Sequence, residues 1–283
     1  MNYYAPDKIE ILPCGSIIQH GYYNDRIYLL KPGKNATESL PMNLIERAKY
    51  FNYSKIFAKI PSRHYEQFIS AGYMEEAAIP GFYNGSEKGL FMSFYLNKQR
   101  SLENNADNMD IILNLALEKS GEPIAPFDTD QFILRRCKQN DIEEMASIYK
   151  AVFPTYPFPI YNPEYLLDTM KNNVVYFAVE WNKYLIALSS AEIDNSSQNA
   201  EMTDFATLPQ WQKNSLGCHM LLQMEKEMKK QKIKTTYTIT RAASVGINII
   251  FAKLGYKYGG RLKNNTNISG KIESMNVWYK AFI

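Results

Sequence analysis

Apolar residues follow two different spacings in the C-terminal part of the chain, and the alternation between them predicts strands and helices in turn. Leu216, Met220, Leu221, Met224 and Met228 have the spacing of one buried helical face. Residues 201–207 and 235–240 have the composition of strands, and residues 248–256 predict the end of a second helix. The order strand, polar turn, helix, strand, helix is typical of an α/β unit with a mixed sheet.

The same patterns continue upstream of this unit. Residues 132–137 predict a strand, and residues 141–149 predict a helix with Asp141 as its N-cap and Glu144 three positions later. Two further apolar runs predict a hairpin that turns at residues 181–183.

A linker is predicted at residues 120–128, where one glycine and two prolines follow a helical run. We therefore expect an N-terminal domain over residues 1–120 and a C-terminal domain over residues 128–283.

Composition excludes several functions. Apolar residues make up 46% of the chain and charged residues 22%, which is typical of a globular protein. No apolar run is long enough to span a membrane, and the first residues lack the apolar core of a signal peptide, so we expect a cytoplasmic location. A net charge of +3 is too small to indicate a nucleic-acid partner. The scattered histidines and the absence of a Cys-x-x-Cys pair give no reason to expect a metal site.

The turn that precedes the predicted 216–228 helix is suited to an anion. The small residues Ser215 and Gly217 leave the first backbone N–H groups of a helix without helical partners, and the helix dipole favours negative charge there. By itself this turn is also compatible with an ordinary strand–helix turn in another α/β protein.

The turn resembles the pyrophosphate-binding signature of the GNAT superfamily of N-acetyltransferases, Arg/Gln-x-x-Gly-x-Gly/Ala. Gln212 fills the first place and Gly217 the last, while Ser215 stands where the middle glycine belongs. The resemblance implies a GNAT fold in the C-terminal domain and acetyl-CoA as co-substrate. It also implies a set of cofactor-binding residues, namely Phe205, Ala206, Thr207, Gln212, Lys213, Asn214, Ser215, Leu216, Gly217, Cys218, Asn248, Phe251 and Lys253.

A closer resemblance is to the beta-lysine N-acetyltransferases. It is carried by strings in both halves of the chain, at residues 17–28, 79–85, 188–192, 201–209, 264–268 and 273–279. It implies acetylation of the terminal amine of β-lysine (3,6-diaminohexanoate), which gives a compatible solute. Two alternatives stay open: a different acceptor such as a polyamine, lysine or a protein lysine, and a non-catalytic sensor that binds acyl-CoA.

The N-terminal half repeats part of the C-terminal pattern. Residues 68–73 and 251–256 both read Phe-x-x-x-Gly-Tyr, and in each half this motif lies between a predicted strand and an aromatic final strand. We interpret residues 1–120 as a degenerate GNAT-like α/β domain that has no phosphate turn and that packs against the active site and closes it. Chance recurrence of a helix C-cap glycine is the alternative.

Acetyl transfer needs a neutral amine and a polarised thioester carbonyl. In relatives a glutamate at the place of Glu201 acts as general base, and Glu201 is a carboxylate in a strand, where glutamate is depleted. Its alternative is a structural role. Asp204, three residues on, is expected on the opposite side of the strand. Backbone N–H groups near residues 205–207 would stabilise the oxyanion.

The usual tyrosine acid of the superfamily is replaced by Phe251. Either CoA leaves as the thiolate, or Tyr256 or Tyr279 supplies the proton.

Substrate contacts are expected from the predicted terminal hairpin and from an aromatic loop at residues 153–161. Arg241 is a candidate partner for the substrate carboxylate. Asp204, Asn265, Asn267, Glu273 and Tyr156 complete the substrate-binding candidates. Turn chemistry is the alternative explanation for the asparagines, and core packing is the alternative for the aromatic loop.

Overall fold

One mixed sheet runs through the residues that the computed structural model describes, 7–282. Residues 1–6, on which the expectation about a signal peptide rests, lie outside the described residues. The strands of the first half are β1 (Lys8–Ile11), β2 (Ile17–Gly21), β3 (Arg26–Lys31), β4 (Lys55–Pro61), β5 (Met74–Tyr83) and β6 (Glu87–Tyr95). Those of the second half are β7 (Ile133–Arg136), β8 (Val174–Trp181), β9 (Tyr184–Asp194), β10 (Asn199–Thr207), β11 (Thr235–Arg241), β12 (Lys257–Ile268) and β13 (Lys271–Ala281).

Helices cover both faces of this sheet. Within residues 7–282 the α-helices are α1 (Leu40–Tyr50), α2 (Tyr65–Ser70), α3 (Ala106–Glu118), α4 (Ile142–Val152), α5 (Pro163–Asn172), α6 (Leu216–Lys230) and α7 (Val245–Lys253). On one face of the C-terminal half, α6 and α7 bury Leu221, Met224 and Phe251 against the sheet. On the other face α4 and α5 pack Met145 and Leu166 against it. The structure confirms the helices predicted at 141–149 and 216–228. It also confirms the predicted hairpin, which β8 and β9 form.

Apart from the edge strand β7, which has no counterpart in the first half, the two halves of the sheet follow the same strand order from the outer edge inward. The full order is β1-β2-β3-β4-β6-β5-β12-β13-β11-β10-β9-β8-β7. In the first half β3 and β4 are parallel and the other neighbours antiparallel; in the second half β10 and β11 take the place of that parallel pair. The halves join where β5 pairs with β12, at Ala77 and Gly260. Opposing side chains of both halves therefore share one apolar core, which includes Phe57, Phe91 and Tyr237.

The predicted capping box at the start of α4 does not form. The Asp141 carboxylate accepts hydrogen bonds from the Arg135 guanidinium (2.8 Å) and from the N–H of Lys138 (2.6 Å). Glu144 accepts the N–H of Leu185 on β9 at 2.8 Å. The two side chains that the capping box would use, Asp141 and Glu144, therefore accept hydrogen bonds from other residues instead.

A β-bulge in β10 changes the direction of Asp204. The β9–β10 register shifts between Thr203 and Ala206, and Asp204 has a φ of 55°. The extra residue reverses the alternation of side chains, so Asp204 faces the same side of the sheet as Glu201. The expectation that these carboxylates face opposite sides is wrong for this reason.

The bulge also separates β10 from β11. Their parallel pairing is limited to residues 199–201 of β10, although β10 continues to Thr207 and β11 to Arg241. An opening between the two strands follows Glu201, and the edge of residues 202–207 that faces β11 has no strand partner there. No helix in the described part of the chain is long and apolar enough to cross a membrane.

Candidate active site

A cavity of about 340 Å³ lies between the two halves, on the sheet face that carries Glu201. Strands β3 and β4 of the first half form one wall, and β8, β9, β10 and the aromatic loop of the second half form the other. Its charged and polar lining includes Arg26, Tyr28 and Lys59 from the first half and Tyr156, Asp168, Ser190, Glu192, Glu201, Thr203, Asp204 and Asn265 from the second. Both halves are therefore needed to build it.

Glu201 has an environment suited to a general base. It lies opposite Glu192 on β9 and beside Tyr237 on β11. The pKa of Glu201 is raised to about 7, first by burial and then by the charge of Glu192, while Lys59 and a hydrogen bond from Tyr237 oppose the shift. A carboxyl group with such a pKa both accepts and releases a proton near neutral pH.

Lys59 connects the first half of the chain to this group. Its ammonium donates a hydrogen bond to the Tyr237 hydroxyl at 3.2 Å and lies over the rings of Phe82 and Tyr237. The Tyr237 hydroxyl in turn forms a hydrogen bond with the Glu201 carboxylate, which favours the charged form of Glu201. The sequence analysis missed Lys59, although a lysine within the apolar strand β4 is an unusual placement that signals a role.

Asp204 and Tyr156 line the cavity but are already engaged with the protein. The Tyr156 hydroxyl donates to one carboxylate oxygen of Asp204, and Ser190 Oγ donates to the other at 2.5 Å. Burial raises the pKa of Asp204, and these two hydrogen bonds oppose the shift. Asp204 therefore anchors the aromatic loop that forms part of the cavity wall.

Three predicted substrate residues lie elsewhere. Arg241 and Glu273 form a bidentate ion pair, with two contacts of 2.8 Å, and neither side chain lines the cavity. Asn267 joins the two halves, because its N–H donates to Asn24 at 2.7 Å and its amide donates to the carbonyl of Tyr23 at 2.8 Å. The cavity therefore gives no support to the substrate assignments of these three residues, which stay predictions. Of the hairpin candidates only Asn265 lines the cavity.

The turn before α6 has the geometry of an anion site. Lys213 and Ser215 have φ values of 71° and 56°, and Ser215 is the N-cap of α6. Among the described residues, the N–H groups of residues 213–217 have no hydrogen-bond partner. Gln212, Lys213 and Asn214 are exposed at this turn, where these free donors and the dipole of the 15-residue helix coincide.

Several other predicted cofactor residues face the protein interior instead. The amide of Asn248 accepts hydrogen bonds from Asn276 and Trp278 (both 2.9 Å) and donates to the carbonyl of Ser244 at 2.7 Å. Phe251 is fully buried against Phe205, and Cys218 is in the same core. The side chains of Asn248, Phe251 and Cys218 are thus occupied by packing and internal hydrogen bonds, which gives no support to their assignment to the cofactor, and that assignment stays a prediction. The apolar face of α7 and the start of α6 bury them against the sheet.

The remaining predicted cofactor residues differ in exposure. Lys253 lies 3.5 Å from Glu122 in an ion pair, and Ala206 and Leu216 are buried. Gly217 is also buried, and a Cβ added there would meet the terminal carbon of Ile250 at 2.6 Å. Gly217 therefore permits the close approach of α6 to α7.

Neither alternative tyrosine acid reaches the cavity. The Tyr256 hydroxyl contacts Thr236 at 2.9 Å inside the α6–α7 core, and Tyr279 does not line the cavity. In the described residues no group of three His, Cys, Asp or Glu side chains is placed to hold a metal ion.

Comparison with known proteins agrees with this geometry. Residues 142–256 match the acetyltransferase (GNAT) family. The chain is 39% identical over 265 residues to the beta-lysine N(6)-acetyltransferase of Methanococcus maripaludis strain S2, with 94% of this chain and 96% of the relative covered. It is 32% identical to the beta-lysine N(6)-acetyltransferase of Methanosarcina mazei, with 79% and 90% covered. It is 30% identical to N-acetyltransferase YodP of Bacillus subtilis strain 168, with 94% and 95% covered.

The chain has the fold of an N-acetyltransferase of the GNAT class, which uses acetyl-CoA. Within that class the similarity extends over both halves of the chain. The chain belongs to the family of the beta-lysine N(6)-acetyltransferases.

Proposed function

We propose that the chain transfers an acetyl group from acetyl-CoA to the terminal amine of β-lysine. The observation that carries the proposal is the position of Glu201. This carboxyl group, with a pKa of about 7, lines a cavity and lies where β10 and β11 separate. The amine of a lysine-like chain has a pKa of about 10.4, so at neutral pH it must lose a proton before it attacks. A base of this pKa next to the strand opening suits that task.

The cofactor half of the site is supported by the turn at residues 212–217. Its unpaired N–H groups and the α6 dipole suit the pyrophosphate of acetyl-CoA, with Gln212, Lys213 and Asn214 at the surface of the turn. When bound, acetyl-CoA supplies the thioester carbon that the amine attacks. The N–H groups of residues 205–207, at the edge of β10, are the candidate donors for the carbonyl oxygen.

In the proposed reaction Glu201 first accepts one proton from the ammonium group, directly or through water, and releases it to solvent. The neutral nitrogen then forms its bond to the acetyl carbon and gives up its second proton to Glu201 or to water. The carbon–sulfur bond then breaks, and the electron pair leaves with sulfur. Since Tyr256 and Tyr279 do not line the cavity, CoA leaves as the thiolate and takes its proton from water.

We further propose that residues 1–120 are a degenerate GNAT-like domain and residues 128–283 the acetyltransferase domain. The repeated strand order of the sheet supports this division. The helix α1, which holds the place of α6 in the first half, begins at Leu40-Pro41; Pro41 has no N–H, and the N–H of Leu40 is bonded to Thr37 at 3.0 Å. The start of α1 therefore offers few free N–H groups, which supports the proposal that the first half has no phosphate-binding site. The cytoplasmic location, the compatible-solute role and the lack of nucleic-acid and membrane partners stay predictions.

A thiol-release assay with acetyl-CoA tests the acceptor. We expect the highest kcat/KM for β-lysine when it is compared with α-lysine and spermidine. A higher value for spermidine or α-lysine would assign the enzyme to that acceptor. Binding of acetyl-CoA without turnover of any of the three amines would instead support a sensor.

A further inference from the structure

The cavity contains a buried cation that none of the steps above uses. Arg26 is 3% exposed, lines the cavity and lies over the rings of Tyr28 and Phe57. Its Nη1 donates to the carbonyl of Asn265 and to Thr266 Oγ1. Among the described residues, its Nε has no hydrogen-bond partner and no carboxylate forms an ion pair with it.

An unpaired guanidinium that is buried in a cavity wall indicates a binding site for an anion. A buried charge is expensive to keep without a partner, and the free edge of an arginine binds a carboxylate with two parallel hydrogen bonds. Arg100, close by, shows the usual solution, since it is paired with Asp25 at 3.2 Å. Burial lowers the pKa of Arg26 to about 10, so the guanidinium keeps its charge at neutral pH.

A second unpartnered group lies beside it. Asn265 is 1% exposed and lines the same cavity, and its Oδ1 accepts no hydrogen bond. Arg26 Nη1 and the Asn265 side-chain amide both donate to Thr266 Oγ1, so the two side chains are neighbours across the junction of the halves. A donor such as an ammonium group would satisfy this oxygen.

The position of these groups along the strands separates them from the base. Arg26 pairs with Lys55 on β4, and Lys59, which contacts Tyr237 beside Glu201, lies four residues further along β4. Four residues of a strand span about 13 Å. The cavity therefore has the base at one end and the unpaired guanidinium towards the other.

We propose that Arg26 and Asn265 form the subsite for the amino-acid head of the acceptor. Arg26 binds its carboxylate, and Asn265 Oδ1 accepts from the 3-ammonium group. The proposal rests on the proposed function and adds to it that the first half of the chain determines substrate selection. In this arrangement the terminal amine points towards Glu201.

The test compares β-lysine with pentane-1,4-diamine, which has the same amine spacing but lacks the carboxylate. For the wild type we expect a much higher kcat/KM with β-lysine. In Arg26→Met this advantage should fall by about 10²-fold, since loss of one partner of a buried charged hydrogen-bonded pair has costs of that size. The KM for acetyl-CoA should be unchanged, and the diamine should react as well as with the wild type or better.

Two further variants separate recognition from folding. Arg100→Met removes another buried arginine from the junction of the halves but not from the cavity, and it should preserve the preference for β-lysine. Asn265→Leu should reduce the preference for β-lysine over α-lysine, whose ammonium is on a different carbon. An equal loss of preference in Arg26→Met and Arg100→Met would assign the effect to structure and overturn the subsite.

The outcomes distinguish the two proposals. If the wild type acetylates the diamine as well as β-lysine, the proposed acceptor is wrong. If the wild type prefers β-lysine and Arg26→Met keeps that preference, the acceptor stands and the Arg26 subsite is wrong.

Discussion

Glu201 on β10 lies directly opposite Glu192 on the antiparallel neighbour β9. Like charges in this cross-strand position destabilise a sheet, and the pair lies in the wall of the cavity between the two halves. The Glu192 side chain is exposed to the cavity, and its enclosed position between the two halves raises its pKa as well, whereas Glu201 lies deeper and has its pKa raised to about 7. The arrangement supports the proposed role of Glu201 as a proton acceptor near neutral pH, and the first two predictions test that role.

Replacement of Glu201 by glutamine should reduce kcat. The amide keeps the shape and the hydrogen bonding of the carboxylate but cannot take a proton from the amine. Loss of a general base typically costs 10²–10⁴-fold, roughly 3–5 kcal/mol of transition-state stabilisation. The KM for acetyl-CoA should change little, because the turn at residues 212–217 is untouched. A deficit below about threefold in steady-state rates at neutral pH would assign the base elsewhere.

Replacement of Glu192 by glutamine should lower the pKa of Glu201. The charge of Glu192 is the second cause of the raised pKa, after burial. The acidic limb of the pH profile of kcat/KM should therefore move to lower pH. Asp168→Asn is the matched control, since Asp168 is an exposed carboxylate of the same cavity and should leave the limb in place. Equal shifts in both variants would argue against specific coupling between Glu192 and Glu201.

The elements around the cofactor turn were predictable because their signals are local. The spacing of Leu216 to Met228 and the small residues before it depend only on neighbours in the chain, and α6 begins where that spacing predicts. Glu201 was selected because the family resemblance implies a base at this place and because a glutamate is unusual in a strand.

The other wall of the cavity was not predictable in this way. Lys59 and Arg26 reach the site only because β5 pairs with β12 and brings the halves together, a long-range contact with no local signature. Asp204 was misplaced because one bulge residue reverses the alternation of β10. Arg241 and Glu273 looked like free charges, whereas strand pairing sets β11 beside β13 and lets them bind each other.

Replacement of Ser215 by glycine should stabilise the protein without weakening cofactor binding. Ser215 has a φ of 56°, a conformation that is strained for residues other than glycine by about 1 kcal/mol. Part of this gain is offset by the greater freedom of glycine in the unfolded chain. We expect a free energy of unfolding that is equal or higher by up to about 1 kcal/mol, with the KM for acetyl-CoA unchanged or lower. A higher KM would show that the serine side chain itself contacts the cofactor.

Replacement of Gly217 by alanine should weaken acetyl-CoA binding. The new Cβ would lie 2.6 Å from Ile250 Cδ1, so either the Ile250 side chain rotates away or α6 shifts, and a shift of α6 carries the N–H groups of the turn with it. We expect the KM for acetyl-CoA to rise about tenfold, which corresponds to the loss of one or two good hydrogen bonds. Ile250→Val removes the clashing Cδ1 atom, and the double variant should recover most of the binding. Failure of this rescue would mean that Gly217 acts through its backbone approach to the cofactor rather than through helix packing.

The raised pKa of Glu201 also predicts a stability difference that does not depend on catalysis. The ordinary pKa of 4.5 applies in the unfolded chain, and the folded value is about 7. Between these pH values the folded state binds more protons than the unfolded state, so the free energy of unfolding falls as pH rises through this window. Glutamine carries no charge to desolvate, so Glu201→Gln should be more stable than the wild type at pH 8, by roughly 1–3 kcal/mol given that water in the cavity weakens the effect.

Urea unfolding of both proteins at pH 5 and pH 8 measures this difference, which should be smaller at the lower pH. Asp168→Asn serves as the control, because an exposed carboxylate should give no such gain. If Glu201→Gln is no more stable than the wild type at pH 8, the carboxyl group is not held at a raised pKa. A loss of activity in the same variant would then reflect a carboxylate that binds the ammonium group rather than one that takes its proton.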